Sequence, residues 1–435
     1  MPLTVTRSFA AVDRSAALPL FNTADKISAR PLPDELKALI GQSVEAIDTP
    51  GLVIDLDAMN RNLTRMAEFA KKRSVRWRPH AKMHKSSALA RMQVQAGAVG
   101  VCVQKTAEAQ AMVAGGVNDV FISNQVIAPH KLARVAELTQ LLGTRGGKLA
   151  IAVDSVDGIT RLAEAMNQAR VAHAASNGRD TQRVGGAIID VFIELNVGQN
   201  RCGVPPSPAA VGLVYEIRKH PALRFAGLHA YHGKAQHLRS AQERRDAIAI
   251  AVEEVAFTRR LIESAGFVVN LVTGAGTGSL VLEAASGVYG EVQPGSFLFM
   301  DADYAQNERD PAQPKFEHAL FVKTQVISTS SDHVVCDAGH KSHAIDSGMP
   351  VVHSQLNDSP LAYTNGGDEH GILRIAPNAV GRGNRLPLIG QKLWLIPGHC
   401  DPTVNLHDFM VGVSGGLSAG KVDRIIRVDA RGALA

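Results

Sequence analysis

The sequence has few of the features that mark disulfide-bonded, membrane or nucleic-acid-binding proteins. It contains only 4 cysteines, none in a CxxC spacing, so we expect reduced thiols. The 46 lysines and arginines exceed the 41 aspartates and glutamates by only five charges, which gives no reason to expect nucleic acid or a membrane surface as a partner. No apolar run approaches the ~18–20 residues of a membrane helix, and the start does not resemble a secretory signal. These absences favour a cytoplasmic protein, with an organelle transit peptide as the alternative.

Short apolar runs alternate with stretches of helical period from Thr49 onward. Such alternation predicts a parallel sheet, and about eight repeats predict an α/β fold of the (β/α)8 TIM-type barrel class. Nine runs are candidate strands but the barrel has only eight strand positions, so one run lies outside the barrel or is not a strand. An open doubly wound sheet is the alternative fold. The predicted strands are Gly51–Leu56, Val75–Arg78, Val99–Val103, Asp119–Ser123, Leu149–Val153, Ile189–Leu195, Arg224–His229, Val268–Val272 and Gly290–Val292.

The pattern changes after about residue 310, where short apolar runs are separated by Pro, Gly and Asn clusters. This pattern predicts a C-terminal mostly β domain. We expect the barrel over residues 48–310, the β domain over residues 311–435, and an N-terminal extension, residues 1–47, that packs on the β domain. The predicted strands of the β domain are Ala319–Ile327, His333–Asp337, Gly371–Ile375, Lys392–Ile396 and Ile425–Val428.

The second run ends in Arg78-Pro-His-Ala-Lys-Met-His-Lys85. Catalytic groups of parallel barrels come from the C-terminal ends of strands. A lysine at such a position can be desolvated, lose its proton near neutral pH and form a Schiff base. Lys82 is the better candidate because it is nearer to the strand. The alternative is that Lys82 and Lys85 are solvated residues at the start of a helix.

Closely spaced glycines follow the eighth run, in Thr273-Gly-Ala-Gly-Thr-Gly-Ser279. Glycines at this spacing let backbone N–H groups approach an anion, and a short helix after them directs its positive end toward it. A phosphate cradle is one interpretation, and a tightly packed turn is the other. A lysine and a phosphate cradle in one barrel mouth together predict pyridoxal 5'-phosphate (PLP), which needs both anchors.

Two more segments follow predicted strands. Arg201 could face the pyridine nitrogen of PLP and keep it unprotonated, or form a salt bridge across the barrel rim. The segment His229-Ala-Tyr-His-Gly-Lys-Ala-Gln-His237 contains three histidines and a tyrosine, and histidine is the natural base near neutral pH.

A histidine and an aspartate lie two residues apart in the β domain, at His399 and Asp401. In an extended segment both side chains leave the same face and can share one cation. An imidazole with a carboxylate suits Mn²⁺, Mg²⁺, Co²⁺ or Zn²⁺. The alternative is a hydrogen-bonded turn without a metal.

Together these segments resemble the D-threonine aldolase and 3-hydroxy-D-aspartate aldolase family. Its members are PLP enzymes of fold type III, related to alanine racemase and to eukaryotic D-serine dehydratase. The resemblance extends from about Asp48 to about Gly432. Its matching segments are Asp48-Thr-Pro, Arg78-Pro-His-Ala-Lys-Met-His-Lys85, Gln104-Lys105, Arg201-Cys-Gly-Val204, Ala230-Tyr-His-Gly233, Gly274-Ala-Gly-Thr-Gly-Ser279, Gly295-Ser296, Phe299-Met-Asp-Ala-Asp-Tyr304, Asp337-Ala-Gly339, Asp368-Glu-His-Gly371 and Gly398-His-Cys-Asp-Pro402.

The resemblance implies an alanine racemase-like barrel with PLP bound as a Schiff base to Lys82. It implies a divalent metal on His399 and Asp401, with Mn²⁺ first among the candidates, and His237 as the base for a substrate hydroxyl. It also implies a homodimer that acts on a small-molecule amino acid. The residues it assigns to PLP besides Lys82 are Arg78, Gln104, Asn124, Arg201, Tyr231, Gly274, Gly276, Thr277, Gly278 and Ser279.

The implied reaction is a retro-aldol cleavage of a D-β-hydroxy-α-amino acid, such as D-threonine or 3-hydroxy-D-aspartate. The products are glycine and an aldehyde or glyoxylate. The dehydratase branch has cysteine as the second residue of the metal pair, whereas this chain has Asp401 there, which favours the aldolase. The alternatives are a dehydratase that releases ammonia and a keto acid, a racemase, a non-catalytic PLP-binding protein, and a metal hydrolase without PLP.

Overall fold

The computed structural model describes residues 31–176, 187–353, 359–379 and 383–435. The first half of the chain forms α1 (Asp34–Ala38), β1 (Gly51–Asp55), α2 (Leu56–Arg73), β2 (Arg76–Trp77), α3 (Ser87–Gln95), β3 (Val101–Val103), α4 (Thr106–Ala114), β4 (Asp119–Ile122), α5 (Pro129–Thr144), β5 (Lys148–Val153), α6 (Val156–Ser176), β6 (Ile189–Glu194) and α7 (Ala209–Arg218). The second half forms β7 (Leu223–Ala230), α8 (Ala241–Ser264), β8 (Val272–Gly274), α9 (Leu280–Ala285), β9 (Glu291–Val292), α10 (Ala302–Ala305), β10 (Leu320–Thr329), β11 (Val334–Cys336), β12 (Val351–Val352), β13 (Leu361–Asn365), β14 (Gly371–Ile375), β15 (Lys392–Ile396), α11 (Cys400–Val404), β16 (Phe409–Ser414) and β17 (Lys421–Arg427).

The strands β2 to β9 form a parallel sheet of eight strands in the order β2-β9-β8-β7-β6-β5-β4-β3. A parallel bridge between His80 and Cys102 joins the ends of β2 and β3 and closes the sheet into a barrel. The helices around it bury a continuous apolar core against the strands. The barrel interior is filled by smaller apolar groups and by Phe121 and Phe192, whose ring centroids are 4.9 Å apart. The predicted (β/α)8 fold is therefore confirmed, and the open doubly wound sheet is excluded.

Of the nine candidate strands, Gly51–Leu56 is the one that lies outside the barrel. The strand β1 pairs antiparallel with β10 and parallel with β16, both of which belong to the second sheet. The helix α2 follows at once, because the Asp55 side chain accepts hydrogen bonds from the backbone N–H groups of Asp57 and Ala58. A strand followed by an amphipathic helix has the same local pattern in either sheet, so only the long-range pairing separates the two cases. This strand is the ninth candidate for eight places.

The second sheet has nine strands, and its core path runs β13-β14-β11-β10-β1-β16-β17, with β15 paired to β10 and β12. All five predicted strands of the mostly β region are present in it. The strands β12, β13 and β16 were missed. The strand β12 has two residues, and β13 carries mixed polar and apolar side chains, so neither gives a clear period of two.

The described part of the N-terminal extension packs on this second sheet. The Lys323 side chain, which is fully buried on β10, donates hydrogen bonds to the carbonyl oxygens of Val44, Glu45 and Ile47. Burial lowers the pKa of Lys323 to about 8. Residues 1–30 lie outside the described part of the chain. Among the described residues, no helix combines the length and the apolar character that crossing a bilayer would require.

Candidate active site

A cavity of about 380 Å³ opens at the C-terminal ends of the barrel strands, which is the usual position of active sites in such barrels. Most of its wall comes from residues that directly follow a strand, and Asp401 from the second sheet's domain completes it. The predicted site residues that line it are Lys82, Gln104, Asn124, Arg201, Tyr231, Gly276, Thr277 and Asp401. The other lining residues are His80, Met83, Lys105, Ser123, Cys202, His229, Ala275, Gln293, Gly295, Ser296 and Tyr304.

Lys82 lies in a single 3₁₀ turn, Ala81–Met83, directly after β2. The side chain of His80 accepts the backbone N–H of Lys82 at 3.4 Å and contacts the Ser123 hydroxyl at 3.1 Å, which fixes the turn. The Lys82 ammonium forms an ion pair with Asp401. Desolvation is the largest influence on the pKa of Lys82 and lowers it, but the charge and hydrogen bond of Asp401, together with the charges of Tyr231 and Glu108, outweigh it and the net pKa is raised.

Lys85, the other lysine of this segment, does not reach the cavity. Its side chain is 7% exposed and pairs with Glu108 at 3.1 Å. It also lies 3.4 Å from the carbonyl oxygen of Ala430. Lys85 is a buried structural lysine, whereas Lys82 is the lysine available to a ligand.

The glycine-rich turn after β8 bends around the Gln236 side chain. Gly278 N–H donates to Gln236 Oε1 at 2.9 Å, and Gln236 Nε2 donates to the Ser279 hydroxyl at 2.7 Å. Gly278 and Ser279 therefore fix the turn to Gln236 and do not line the cavity. Ala275 has a positive φ of 68°, and a Cβ on Gly276 would come within 2.4 Å of Gln236 Oε1. Only the smallest residue fits at position 276, and the backbone of residues 275–277 is thereby exposed to a ligand, as a phosphate cradle requires.

The cavity wall also contains buried polar atoms that lack a hydrogen-bond partner among the described residues. They are Gln104 Oε1 and His229 Nδ1, of which the latter lies 3.9 Å from Glu194 Oε2. The Asn124 side-chain amide donates to the backbone carbonyl of Gln104 at 3.2 Å and so fixes that segment. Since unpaired buried polar atoms are costly, these groups fit a polar ring ligand. The lysine, the cradle and these atoms together fit PLP.

The prediction that Arg78 contacts the cofactor is wrong. Arg78 is 6% exposed and lies outside the cavity. Its guanidinium pairs with Glu291 at 3.1 Å and with Asp119 at 2.6 Å. These two carboxylates raise its pKa despite the burial that opposes the charge. Arg78 follows a two-residue strand, and the sequence gives no indication of which way its side chain turns.

His399 and Asp401 converge next to the cavity. His399 Nε2 lies 3.8 Å from Asp401 Oδ1, and that oxygen is buried and has no hydrogen-bond partner within the described part of the chain. Two atoms bound to one ion at ~2.0–2.2 Å are roughly 3 Å apart, so a small side-chain adjustment brings both to a metal. His399 Nδ1 contacts Asp346 Oδ2 at 2.7 Å, which is the usual partner arrangement of a metal-binding histidine.

The chemistry of this pair, one imidazole nitrogen and one carboxylate oxygen, fits a divalent cation. Burial is the largest influence on the pKa of Asp401 and raises it, but the charge and hydrogen bond of Lys82, together with the charges of His399 and His80, outweigh it and the net pKa is lowered, so the carboxylate is ionised. Within the described ranges, no group of three or more His, Cys, Asp or Glu side chains has metal-binding geometry. A metal here would have two protein ligands, and water or substrate would complete its coordination.

His237 lies at the edge of the cavity rather than in its wall. It ends a 3₁₀ turn, Lys234–His237, after β7, and its ring centroid is 5.7 Å from that of the lining residue Tyr304. His237 Nδ1 contacts Asp303 Oδ2 at 2.7 Å. This histidine is half exposed, so its other nitrogen is accessible to a ligand or to water.

The geometry agrees with the comparisons to known proteins. Residues 54–303 match the family described as "Alanine racemase, N-terminal domain", and residues 319–413 match "Putative serine dehydratase domain". A D-threonine aldolase from Arthrobacter sp. is 39% identical over 90% of this chain and 95% of the relative. A 3-hydroxy-D-aspartate aldolase from Paracoccus denitrificans is 36% identical over 92% of this chain and 96% of the relative. The crystal structure of D-threonine aldolase from Filomicrobium marinum covers 91% of this chain and 99% of its own, with a TM-score of 0.81 and 43% identity.

The chain belongs to the D-threonine aldolase and 3-hydroxy-D-aspartate aldolase family. It is an aldolase of the alanine racemase-like fold, and the PLP-dependent barrel of that fold is shared by the whole group. The D-threo-3-hydroxyaspartate dehydratase from Delftia sp. is more distant, at 28% identity over 82% of this chain and 92% of the relative. This order of similarity favours the aldolase over the dehydratase.

Several cavity residues of this aldolase were missed in the sequence. Ser123 and Gln293 directly follow β4 and β9, so the rule that located Lys82 could also have found them. Asp303 lies in one of the segments that resemble the family, but the sequence assigned no role to it or to Asp346, because each contacts a histidine that is distant in sequence.

Proposed function

We propose that this aldolase cleaves the Cα–Cβ bond of D-β-hydroxy-α-amino acids of the D-threonine and 3-hydroxy-D-aspartate type. The products are glycine and an aldehyde or glyoxylate. The substrates named for the relatives at 36–39% identity support this substrate class. We also propose a homodimer that uses PLP and a divalent metal, Mn²⁺ first, in the cytoplasm.

The observation that carries the proposal is the contact between Lys82 and Asp401. A substrate amine that takes the place of the Lys82 amine lies beside the His399 and Asp401 pair. The β-hydroxyl of that substrate is two carbons from the amine, so it comes within reach of the pair. A retro-aldol reaction requires this arrangement, since the hydroxyl must lose its proton as the Cα–Cβ bond breaks.

The two bound groups supply chemistry that side chains lack. Lys82, the 275–277 cradle and Gln104 would hold PLP, which would supply an electron sink. His399 and Asp401 would hold a divalent metal, which would supply Lewis-acid assistance to a hydroxyl.

The protein's own residues bind, orient and move protons. His237 accepts the β-hydroxyl proton, directly or through one water molecule. Arg201 and Lys105 place two cationic side chains in the cavity wall, where they balance the negative charge of phosphate and substrate carboxylate. Tyr231 and Tyr304 narrow the cavity around the substrate.

Product analysis tests the proposal. The purified protein, supplied with PLP and Mn²⁺, is incubated separately with D-threonine and with the D-threo and D-erythro forms of 3-hydroxyaspartate. We expect glycine with acetaldehyde or glyoxylate in equal amounts. Ammonia with a keto acid would identify a dehydratase, and the absence of any product with PLP still bound would identify a binding protein. Light scattering of the same sample reports the oligomeric state.

A further inference from the structure

The base candidate His237 is paired with a buried carboxylate. Its Nδ1 lies 2.7 Å from Asp303 Oδ2, and the Asp303 side chain is 7% exposed. A hydrogen bond this short to a carboxylate requires a proton on Nδ1. In the neutral imidazole the other nitrogen, Nε2, then carries the free lone pair, which is the state that a general base needs.

A second contact fixes which oxygen of Asp303 faces the histidine. The Arg239 guanidinium contacts Asp303 Oδ1, and it donates a further hydrogen bond to the Asp303 backbone carbonyl at 2.7 Å. The guanidinium can only donate. It therefore occupies one carboxylate oxygen and leaves Oδ2 for His237.

The helix α10, which carries Asp303, also contacts the segment of the metal pair. The backbone N–H groups of Ala302 and Asp303 donate to the carbonyl oxygens of Pro397 and Gly398 at 3.0 and 3.2 Å. The Asp301 carboxylate accepts the N–H of Cys400 at 3.2 Å. The carboxylate that orients His237 is thus attached to the same backbone that carries the metal pair.

We propose that Asp303, with Arg239 behind it, is the positioning residue of the base: it holds His237 as the Nδ1–H tautomer, with Nε2 free to accept the substrate hydroxyl proton. The inference deepens the proposed function and depends on it for the role of His237. The tautomer itself is independent of that function, so the two can fail separately.

The substitution Asp303→Asn tests the positioning role. The Arg239 guanidinium donates a hydrogen bond to the single carbonyl oxygen of the new amide, and the NH₂ group of that amide then faces His237 Nδ1. A donor at that position forces the Nε2–H tautomer, which cannot act as a base. We expect kcat to fall by about 10²–10³-fold, as for the loss of a general base, with KM within about threefold.

Imidazole NMR measures the tautomer of His237, which would not change if Asp303 had only a structural role. Protein labelled with ¹⁵N only at its 16 histidines gives long-range ¹H–¹⁵N patterns that distinguish the two tautomers. The variant His237→Gln assigns the signal. We expect the Nδ1–H pattern in the unaltered protein and the Nε2–H pattern in Asp303→Asn. An Nε2–H pattern in the unaltered protein, or no change on substitution, overturns the inference.

Two further variants separate positioning from damage to the fold. Adding Arg239→Met to Asp303→Asn frees the amide to turn its oxygen toward His237, so we expect the Nδ1–H pattern and at least about tenfold of kcat to return. Asp310, which pairs with Arg245 at 3.2 Å on the adjoining surface segment, supplies the matched control Asp310→Asn with unchanged kcat.

The visible spectrum separates failure of this inference from failure of the proposed function. Glycine has no β-hydroxyl, so its binding to the PLP-loaded Asp303→Asn protein should change the spectrum as in the unaltered protein. If the unaltered protein cleaves no hydroxy amino acid, the proposed function fails while the tautomer result stands. If it cleaves and Asp303→Asn keeps full kcat, the positioning role is refuted and the aldolase stands.

Discussion

The Lys82 ammonium and the Asp401 carboxylate form an ion pair, although one follows the second strand of the chain and the other lies 319 residues later. The lysine expected to hold PLP and the carboxylate expected to hold a metal therefore touch. If Lys82 held PLP covalently, its amine would no longer be free to pair with Asp401, and that carboxylate would be available to a metal. The two cofactor positions are adjacent parts of one site, and substitutions in one are informative about the other.

The metal pair should be needed for cleavage and not for PLP binding. We expect His399→Ala, or treatment with a chelator, to lower kcat by about 10²-fold or more, because an unassisted alkoxide is too costly near neutral pH. The visible PLP band should persist in both cases. The control is Asp408→Asn, an acid close in sequence that pairs with Arg431 at 2.6 Å and lies outside the cavity. Full activity of the metal-free enzyme would contradict a metal role.

Asp346 should affect metal affinity through His399. Its carboxylate contacts His399 Nδ1 at 2.7 Å and fixes the ring so that Nε2 faces Asp401. Because such partners orient a ligand and raise its basicity, we expect Asp346→Asn to weaken metal binding by about 10- to 100-fold. Titration of the apo protein with Mn²⁺, followed by activity and by calorimetry, measures the change. An affinity equal to that of the unaltered protein would remove Asp346 from the site.

The two lysines of one segment should behave oppositely. Lys82→Ala should abolish both the visible PLP band and cleavage, because its side chain lines the cavity. Lys85→Met should keep the band and lower the melting temperature, because it leaves the buried Glu108 carboxylate without its partner. Absorbance spectra measure the PLP band of each variant, and melting curves measure its thermal stability. A normal PLP band in Lys82→Ala would be the contrary result.

The phosphate cradle should not tolerate a side chain at position 276. The Cβ of Gly276→Ala would lie 2.4 Å from Gln236 Oε1. Relief of such overpacking costs about 1–3 kcal/mol, so we expect PLP affinity to fall about 10- to 100-fold. The control is Gly212→Ala within α7, where a Cβ meets nothing within 4 Å and helix propensity improves. Fluorescence titration with PLP compares the two, and equal affinities would argue against the cradle.

Glu317 should make stability fall in acid. Hydrogen bonds from Arg61 and Arg65 on α2 outweigh desolvation and lower its pKa to about 2. A carboxyl with a lowered pKa stabilises the folded state above its unfolded pKa of ~4.3, and the contribution is lost as the pH falls toward the folded pKa. Glu317 is partly exposed, so solvent screening limits the effect to about 1 kcal/mol.

Urea unfolding of Glu317→Gln measures this contribution. The loss of unfolding free energy relative to the unaltered protein should be present at pH 7 and should shrink toward zero between about pH 5 and pH 2. Glu68 is exposed on α2, the helix that also carries Arg61 and Arg65, and it has no ion pair among the described residues. Glu68→Gln is therefore the control. A Glu317→Gln difference that does not depend on pH would contradict the assigned cause.

The sequence by itself determined the barrel and most of its mouth. A parallel strand carries its own signal in a short apolar run, and the residue after it must lie at the C-terminal edge of the sheet. That rule is local, and it located Lys82 and Arg201. The family resemblance implied Gln104, Asn124 and Tyr231, and all five residues line the cavity. The His399 and Asp401 pair was visible from its spacing, but the extended segment expected there is wrong: His399 is the N-cap of α11 and Asp401 lies in its first turn.

Only the tertiary structure decided what depends on distant partners. Strand β1 pairs with β10 and β16 rather than with a barrel neighbour, and no property of its own five residues distinguishes the two sheets. Arg78 turns to Glu291 and Asp119 because those carboxylates meet it inside the closed barrel. Asp303 reaches His237 across 66 residues of chain for a similar reason. Local periodicity specifies elements and their ends, whereas hydrogen bonds between segments far apart in sequence exist only once the chain has folded.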